Sequence, residues 1–214
     1  EETGVTIFRL VEQMDAGPIL IQRRTAVKPD ETADELLARL ARVGCDAARA
    51  AIEILQADPQ TPGSPQDPGG VTYGPKLKKE DGFIRFDQPV GKLAARIRGL
   101  WSWPGAVCRF LSADGTRDEQ VTIARAVPYE GQAVSASSPD DLGRITDMLA
   151  AQGLDRELTI LAIKPANGKL MDWRSFVNGR HVRPGDRFVP IEALSFDTAQ
   201  AHDYNAPAND RGDL

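Results

Sequence analysis

Runs of apolar residues divide the first part of the chain into three elements. The strand-like runs "VTIFRLV" (5–11) and "PILIQRRTAV" (18–27) flank the turn residues "DAGP" and predict a close strand pair. Apolar residues then recur at helical spacing from Leu36 to Leu55. Just before them, Thr32 and Glu35 have the spacing of a capping box. The pattern therefore predicts strand, turn, strand and one long amphipathic helix.

Short strand candidates dominate the second part of the chain. After "GFIRF" and a short helical pattern over "PVGKLAARIRGL" come "GAVCRFL", "QVTIARAV", "GRITDML" and "LTILAIKP". Their short, even spacing predicts a small β-barrel or curled sheet. The segment "MDWRSFVNG" predicts a further helix with a glycine C-cap at Gly179, and "VRPGDRF" predicts one more turn and strand.

A stretch rich in proline and glycine separates the two parts. In "DPQTPGSPQDPGGVTYGP" (58–75) neither helix nor sheet can propagate. We therefore predict domains over 1–57 and 81–190, joined by a linker over 58–80. Residues 191–214 are polar, acidic and without periodicity, which predicts a disordered tail.

Charge is distributed unevenly along the 214 residues. Residues 1–75 carry 7 Lys and Arg against 12 Asp and Glu, whereas residues 76–190 carry 18 against 14. This asymmetry is compatible with a middle segment that binds a polyanion, although it is also within ordinary variation.

Cysteine, histidine and hydropathy exclude several classes of protein. With two cysteines and two histidines, a disulfide framework and a metal site are both disfavoured, and we expect Cys45 and Cys108 to be small buried residues. No apolar run of about 18 residues appears. We expect a cytoplasmic protein with no membrane partner.

Asp15 is the one residue of the first turn that carries candidate chemistry. An Asp before Ala-Gly-Pro can bond its own backbone and stabilise a tight connection. No nucleophile in an elbow-like setting, histidine or Gly-rich phosphate loop lies near it in sequence. From residue types alone, Asp15 is either a turn former or an accessory carboxylate whose partners lie elsewhere.

Three segments, in order, resemble one family. "EETGVTIFRLVEQMDAGPILIQ" resembles the end of the catalytic domain of folate-dependent formyltransferases, with "TGVT" followed by "D-x-G-x-x-L". "TYGPKLKKEDGFIRFDQPVGKLAARIRGLWSWPGAV" and "IKPANGKLMDWRSFVNGRHVRPGDRF" resemble the linker and C-terminal domain of the methionyl-tRNA formyltransferase family. The resemblance implies an α/β remnant of a Rossmann-like formyltransferase domain, followed by an all-β OB-like barrel domain with short helices.

The resemblance also implies an activity. It is the transfer of a formyl group from 10-formyltetrahydrofolate to the amino group of methionyl-initiator tRNA in translation initiation, without a metal. Asp15 would be the catalytic carboxylate that orients and helps charge a His beside an Asn, while Val11, Glu12, Gln13 and Met14 would line the folate. The Asn and His of the family lie upstream of "TGVT", and this chain starts almost on that motif. We therefore expect the chain as printed to be inactive by itself.

Basic residues of the linker and the barrel are the candidates for tRNA contact. A single lysine is more often part of a solvated surface, and Arg96 or Arg98 can also lie along its own helix. We expect Trp101 and Trp103 to pack in a core or between domains rather than to stack on bases. The candidates that the resemblance implies are Lys76, Lys78, Lys79, Arg96, Arg98, Lys164, Lys169, Arg180 and Arg183.

Two other classes of function fit the same residues. One is a stand-alone RNA-binding module without catalysis. The other is a related sugar formyltransferase or a formyltetrahydrofolate hydrolase, which share the "TGVT" and Asp segments. Under the leading reading we expect a monomer that binds initiator methionyl-tRNA and not DNA.

Overall fold

The computed structural model describes residues 1–191, so the predicted acidic tail, apart from Ile191, lies outside the described residues. Strands β1 (Glu2–Phe8) and β2 (Ile19–Ala26) pair antiparallel, with Glu2 opposite Ala26. Helix α1 (Ala33–Ala57) packs on both strands. The three elements that the apolar pattern predicts are confirmed, although β1 begins three residues earlier than its apolar run.

The predicted capping box starts α1. The Glu35 backbone N–H donates to Thr32 Oγ1 at 3.4 Å, and the Thr32 N–H donates to Glu35 Oε2 at 2.9 Å. Ala47 and Ala51 are buried, and these small residues let the helix lie close to the strand pair. Cys45 is exposed, so the prediction that it is buried is wrong: it lies on the opposite side of the helix from Ala47.

The second part of the chain is a curled antiparallel sheet with two helices. Its strands follow the order β5-β6-β4-β3-β8, with β7 paired to β6. The elements are α2 (Val90–Leu100), β3 (Ala106–Leu111), β4 (Asp118–Pro128), β5 (Ala151–Gln152), β6 (Glu157–Pro165), β7 (Met171–Asp172), α3 (Trp173–Arg180) and β8 (Arg187–Val189).

The segment "GRITDML" joins the two ends of this sheet instead of forming a strand of its own. Arg144 forms a bridge with Arg187 of β8, and Ile145 forms one with Ala151 of β5. The sheet therefore curls into a barrel-like shape. The largest fully buried side chains fill it, among them Phe110, Phe176, Phe188, Ile84, Leu93 and Ile97.

Helix α3 does not end at Gly179 as predicted. It continues to Arg180, and His181 is its C-cap, in the left-handed conformation with φ 55° and its N–H bonded to Val177 O. Cys108 is buried as predicted, and burial raises the pKa of its thiol above the ordinary range.

The proline-rich segment has two different halves. Ile19 and Ser64 exchange two backbone hydrogen bonds of 2.7 and 2.8 Å, so residues near 64 lie against β2. Residues 71–78, in contrast, are all exposed. The two parts of the chain also meet through an ion pair between Arg125 of β4 and Glu35 of α1. Among residues 1–191, no helix has the length and hydropathy needed to cross a membrane.

Candidate functional site

The loop between β1 and β2 presents Asp15 to solvent. Asp15 has φ 53°, a left-handed conformation that Asp tolerates better than most residues. A hydrogen bond of 3.0 Å from the Arg9 N–H to Pro18 O closes the loop. Gly17 is buried beneath it, and a Cβ there would lie 1.6 Å from Arg9 O, so only glycine fits. The loop path is therefore imposed by close backbone approach.

Residues from the proline-rich segment hold this loop. Gln66 Nε2 donates to both Asp15 O and Gly17 O at 2.7 Å. Arg9 reaches the same segment, with Nε donating to Thr61 O at 2.8 Å and Nη2 to Pro59 O at 2.7 Å. Within residues 1–191 the Asp15 carboxylate makes no hydrogen bond, so it is not the group that stabilises the turn.

Apolar side chains beside Asp15 are unusually exposed. Leu10 is 91% exposed, Met14 87% and Val11 48%, while the predicted neighbours Glu12 and Gln13 are exposed as well. Exposed apolar clusters of this kind typically mark a surface that a ligand or another part of the protein covers.

A series of contacts links the segments that carry six of the nine predicted basic residues. Arg96 Nη2 donates to Asp81 O at 2.6 Å, which places this arginine beside the linker lysines. A Cβ on Gly82 would lie 3.3 Å from Pro104 Cβ, so the same segment packs against the turn at 101–104. Pro104 in turn lines a recess together with Lys164 and Lys169. We call these six residues the basic face: Lys76, Lys78, Lys79, Arg96, Lys164 and Lys169.

Arg180 is bound by other protein groups. Its Nε donates to Glu119 Oε1 at 2.6 Å, and its guanidinium lies 5.6 Å from the centre of the Phe176 ring. The hydrogen bond with Glu119 raises the pKa of Arg180, so its charge is already paired. Its contact with tRNA stays a prediction, and the geometry favours a structural role.

Two further arginines lie apart from the recess. Arg183 is exposed, and its backbone N–H donates to Asp186 Oδ2 at 2.8 Å. Arg98 is half-buried on α2. No contact described above joins either of them to the basic face, so their contact with tRNA stays a prediction.

The sequence reading missed the recess itself. It has a volume of about 550 Å³ and is lined by Trp101, Ser102, Pro104, Thr122, Lys164 and residues 168–170. Trp103 is 59% exposed, so the expectation that it is packed away is wrong, whereas Trp101 is half-buried. The segment "WSWPG" lies outside any regular strand or helix. The alternation of buried and exposed positions that holds within strands and helices therefore does not apply to its side chains. Two tryptophans in a turn were the signal that could have revealed it.

Within residues 1–191, no three His, Cys, Asp or Glu side chains form a group that could hold a metal ion.

Comparison with known proteins places the chain among formyl transferases. The sequence model of "Formyl transferase" matches residues 1–52, and that of "Formyl transferase, C-terminal domain" matches residues 76–181. Methionyl-tRNA formyltransferase from Methylobacterium sp. is 32% identical over 88% of this chain and 58% of the relative. The enzyme of that name from Carboxydothermus hydrogenoformans is 35% identical over 88% of this chain and 58% of the relative. The chain thus spans less than two thirds of the length of these relatives.

Solved structures share the fold. The structure of HypX from Aquifex aeolicus in complex with tetrahydrofolic acid matches 82% of this chain and 30% of that chain, with a TM-score of 0.57 and 16% identity. A HypX variant matches 93% of this chain and 34% of that chain with a TM-score of 0.60. Together, the two matched domains, the curated relatives and the shared fold show that this chain belongs to the formyl transferase family.

Proposed function

We propose that this chain is part of a methionyl-tRNA formyltransferase, which uses 10-formyltetrahydrofolate to formylate methionyl-initiator tRNA for translation initiation. One observation carries the proposal. The same segment that holds the Asp15 loop through Gln66 runs directly into the lysines of the basic face. A carboxylate for chemistry and a cationic surface for tRNA are therefore joined by one stretch of chain.

Asp15 is proposed as the catalytic carboxylate. It would orient and help charge a His and so assist the loss of a proton as the methionyl amine attacks the formyl carbon. Its exposure and the absence of a hydrogen bond to its carboxylate within residues 1–191 support this role, because the side chain is not committed to holding the loop.

The folate would bind at the loop that precedes Asp15. The exposed apolar side chains of Val11 and Met14, together with loop backbone at Glu12 and Gln13, fit a flat, largely apolar ring with a polar edge. The folate would supply the formyl group. The nine basic residues predicted from the sequence remain the proposed contacts with tRNA, and the six of the basic face are supported by the contacts that link their segments.

The finer organisation is proposed on the same basis. We propose domains at 1–57 and 81–190 joined by a linker over 58–80, with the barrel-like sheet taken as OB-like. We further propose that the protein acts as a cytoplasmic monomer on tRNA rather than on DNA.

Replacing Asp15 in the full-length protein tests the catalytic assignment. Asp15→Asn keeps the size of the side chain and removes its charge, so formyl transfer to methionyl-tRNA should fall by about two to four orders of magnitude. Asp30→Asn, at another exposed aspartate of the same domain, should leave the rate unchanged. Near-wild-type turnover of Asp15→Asn would return Asp15 to a structural role.

The acceptor is tested with the same protein. Methionyl-tRNA, an amino sugar nucleotide and water are offered in turn as acceptors of the formyl group. Formylation of methionyl-tRNA supports the proposal. Preferential reaction with the sugar, or simple hydrolysis of the folate, would assign the chain to another branch of the family.

A further inference from the structure

The recess beside the turn at 101–104 has the size of a ligand site. Its volume of about 550 Å³ lies within the range of about 300 to 1,000 Å³ that is common for small-molecule sites. The floor includes Thr122 and Lys164, which are opposite each other in the β4–β6 pair. The walls are the turn at 101–104 and the turn at 168–170. Two strands and two tight turns therefore give it a defined shape.

Two indole rings lie on the turn at 101–104, one lining the recess and one beside it. Trp101 lines it, and Trp103 is 59% exposed between two residues that also line it. Neither ring stacks on another aromatic ring or donates from its indole N–H within residues 1–191. Trp173 shows the contrast, since its Nε1 donates to Leu149 O at 2.8 Å and its ring lies 5.5 Å from that of Phe176. The first two indoles are available to a partner.

The charges at the recess are all positive. Lys164 and Lys169 are exposed, and within residues 1–191 neither side chain forms a hydrogen bond or an ion pair. None of the lining residues is Asp or Glu. A second cavity, of about 290 Å³, is different because Asp141 and Asp147 lie beside its arginine. Of these two cavities, the recess beside the turn at 101–104 is therefore the one that favours an anion.

The turn that carries the indoles is held in place by its neighbours. Gly105 has φ 84°, which favours glycine, and a Cβ there would lie 2.8 Å from Thr122 Cγ2. Its N–H donates to Leu100 O at 2.9 Å, which ties the turn to the end of α2. Two aromatic faces are thus presented from a fixed backbone, which limits the ordering entropy that binding costs.

We propose that this recess and the exposed Trp103 beside it bind unpaired nucleotides of RNA, with bases stacked on Trp101 and Trp103 and phosphates held by Lys164 and Lys169. Stacking on aromatic rings beside cationic side chains is how proteins bind single strands, because every base has a π-face. The inference rests on the proposed function in that it names which part of the tRNA this face receives: a single-stranded segment rather than a duplex.

Binding of short RNAs by the 214-residue chain tests the proposal. The probes are a labelled single-stranded RNA of about ten nucleotides and the same strand annealed to its complement. Trp103→Ala should weaken single-strand binding by about 5- to 100-fold and leave duplex binding unchanged. Met148→Ala is the matched control, because this apolar residue is 61% exposed and lies neither in the turn at 101–104 nor among the residues that line the recess. Thermal unfolding of each variant confirms that the fold is retained.

The lysines are tested separately through salt. Lys164→Ala/Lys169→Ala should lower the slope of log K against log salt by about 1.4, which is about 0.7 per phosphate contact with a single strand. Lys28→Ala, at an exposed lysine of the first domain, should not change the slope. Equal single-strand affinity of wild type and Trp103→Ala, or tighter binding of duplex than of single strand, would overturn the proposal.

A titration with initiator tRNA separates this inference from the proposed function. If a Lys76/Lys78/Lys79→Ala variant loses tRNA affinity while Trp103→Ala and Lys164→Ala/Lys169→Ala retain it, tRNA binding stands and the nucleotide recess is rejected. If the chain binds single-stranded RNA through the recess but the full-length protein formylates no tRNA, the recess stands and the proposed function is rejected.

Discussion

At the scale of single residues, the backbone path of the loop that carries Asp15 is determined by other residues more than by Asp15 itself. Gly17 leaves room for Arg9 O, and Gln66 satisfies two carbonyls of the loop. The side chain of Asp15, the proposed catalytic group, is therefore exposed to solvent while the backbone beneath it is fixed. This separation suits a catalytic group, since its position does not depend on its own hydrogen bonds.

Replacing Gly17 should therefore disturb the loop. In Gly17→Ala the new methyl group would overlap Arg9 O, and the free energy of unfolding should fall by about 1 to 3 kcal/mol. Gly44→Ala is the control, because a Cβ there would lie 3.8 Å from Val5 Cγ1, an ordinary contact. Urea unfolding followed by circular dichroism measures both. Equal stability of Gly17→Ala and wild type would mean that the loop adjusts without cost.

At the scale of elements, the start of α1 combines a cap with an interdomain contact. Glu35 accepts the Thr32 N–H and also forms the ion pair with Arg125 of β4. The backbone hydrogen bond from Thr32, with the attraction of Arg125 contributing, holds the pKa of Glu35 below its usual value. One carboxylate thus connects helix initiation to the packing of the two domains.

Acid should weaken this connection. A carboxyl whose pKa is lowered by folding stabilises the fold above its unfolded pKa, about 4.3, and that contribution is lost as the pH falls through the folded value. Glu35→Gln keeps an acceptor for the cap but cannot titrate, so its stability should decline less than that of wild type between pH 5 and pH 3. Glu53→Gln, at an exposed residue of the same helix, should behave as wild type. Parallel pH curves for Glu35→Gln and wild type would contradict the assignment.

At the scale of the whole molecule, the linker is half anchored and half free. Residues 59–66 are bound to the Asp15 loop by Arg9 and Gln66, while residues 71–78 lie exposed between the domains. The anchored first half fixes, relative to the candidate catalytic loop, the point from which the second half extends to the linker lysines. The exposed second half leaves the linker lysines accessible for the proposed contact with tRNA.

Limited proteolysis should distinguish the two halves. Trypsin is expected to cut first after Lys76, Lys78 or Lys79 and to release a stable C-terminal fragment, because these bonds are exposed. Mass spectrometry of the fragments measures this. First cuts within 82–188, with the linker intact, would overturn the proposed division into domains.

The spacing of apolar residues along the sequence was enough to predict most of the strands and helices. The helical spacing from Leu36 to Leu55, the Thr32 and Glu35 pair and the apolar runs of β2, β3, β4 and β6 all predicted what the structure contains. These features depend on residues close in sequence, where burial of one face imposes a period of 3.6 or 2. The motifs likewise identified the family, because their order is a property of the linear chain.

Contacts between residues far apart in the chain determined the features that the sequence pattern did not predict. Cys45 is exposed because α1 covers the strand pair with its other face, and "GRITDML" pairs with β5 and β8 only because the sheet curls. The turn with Trp101 and Trp103 meets Lys164 and Lys169 because β4 and β6 are neighbours and the turn after β6 folds back beside them. Such juxtapositions come from sheet order and backbone approach between residues far apart in the chain, and no local pattern of apolar and polar positions encodes them.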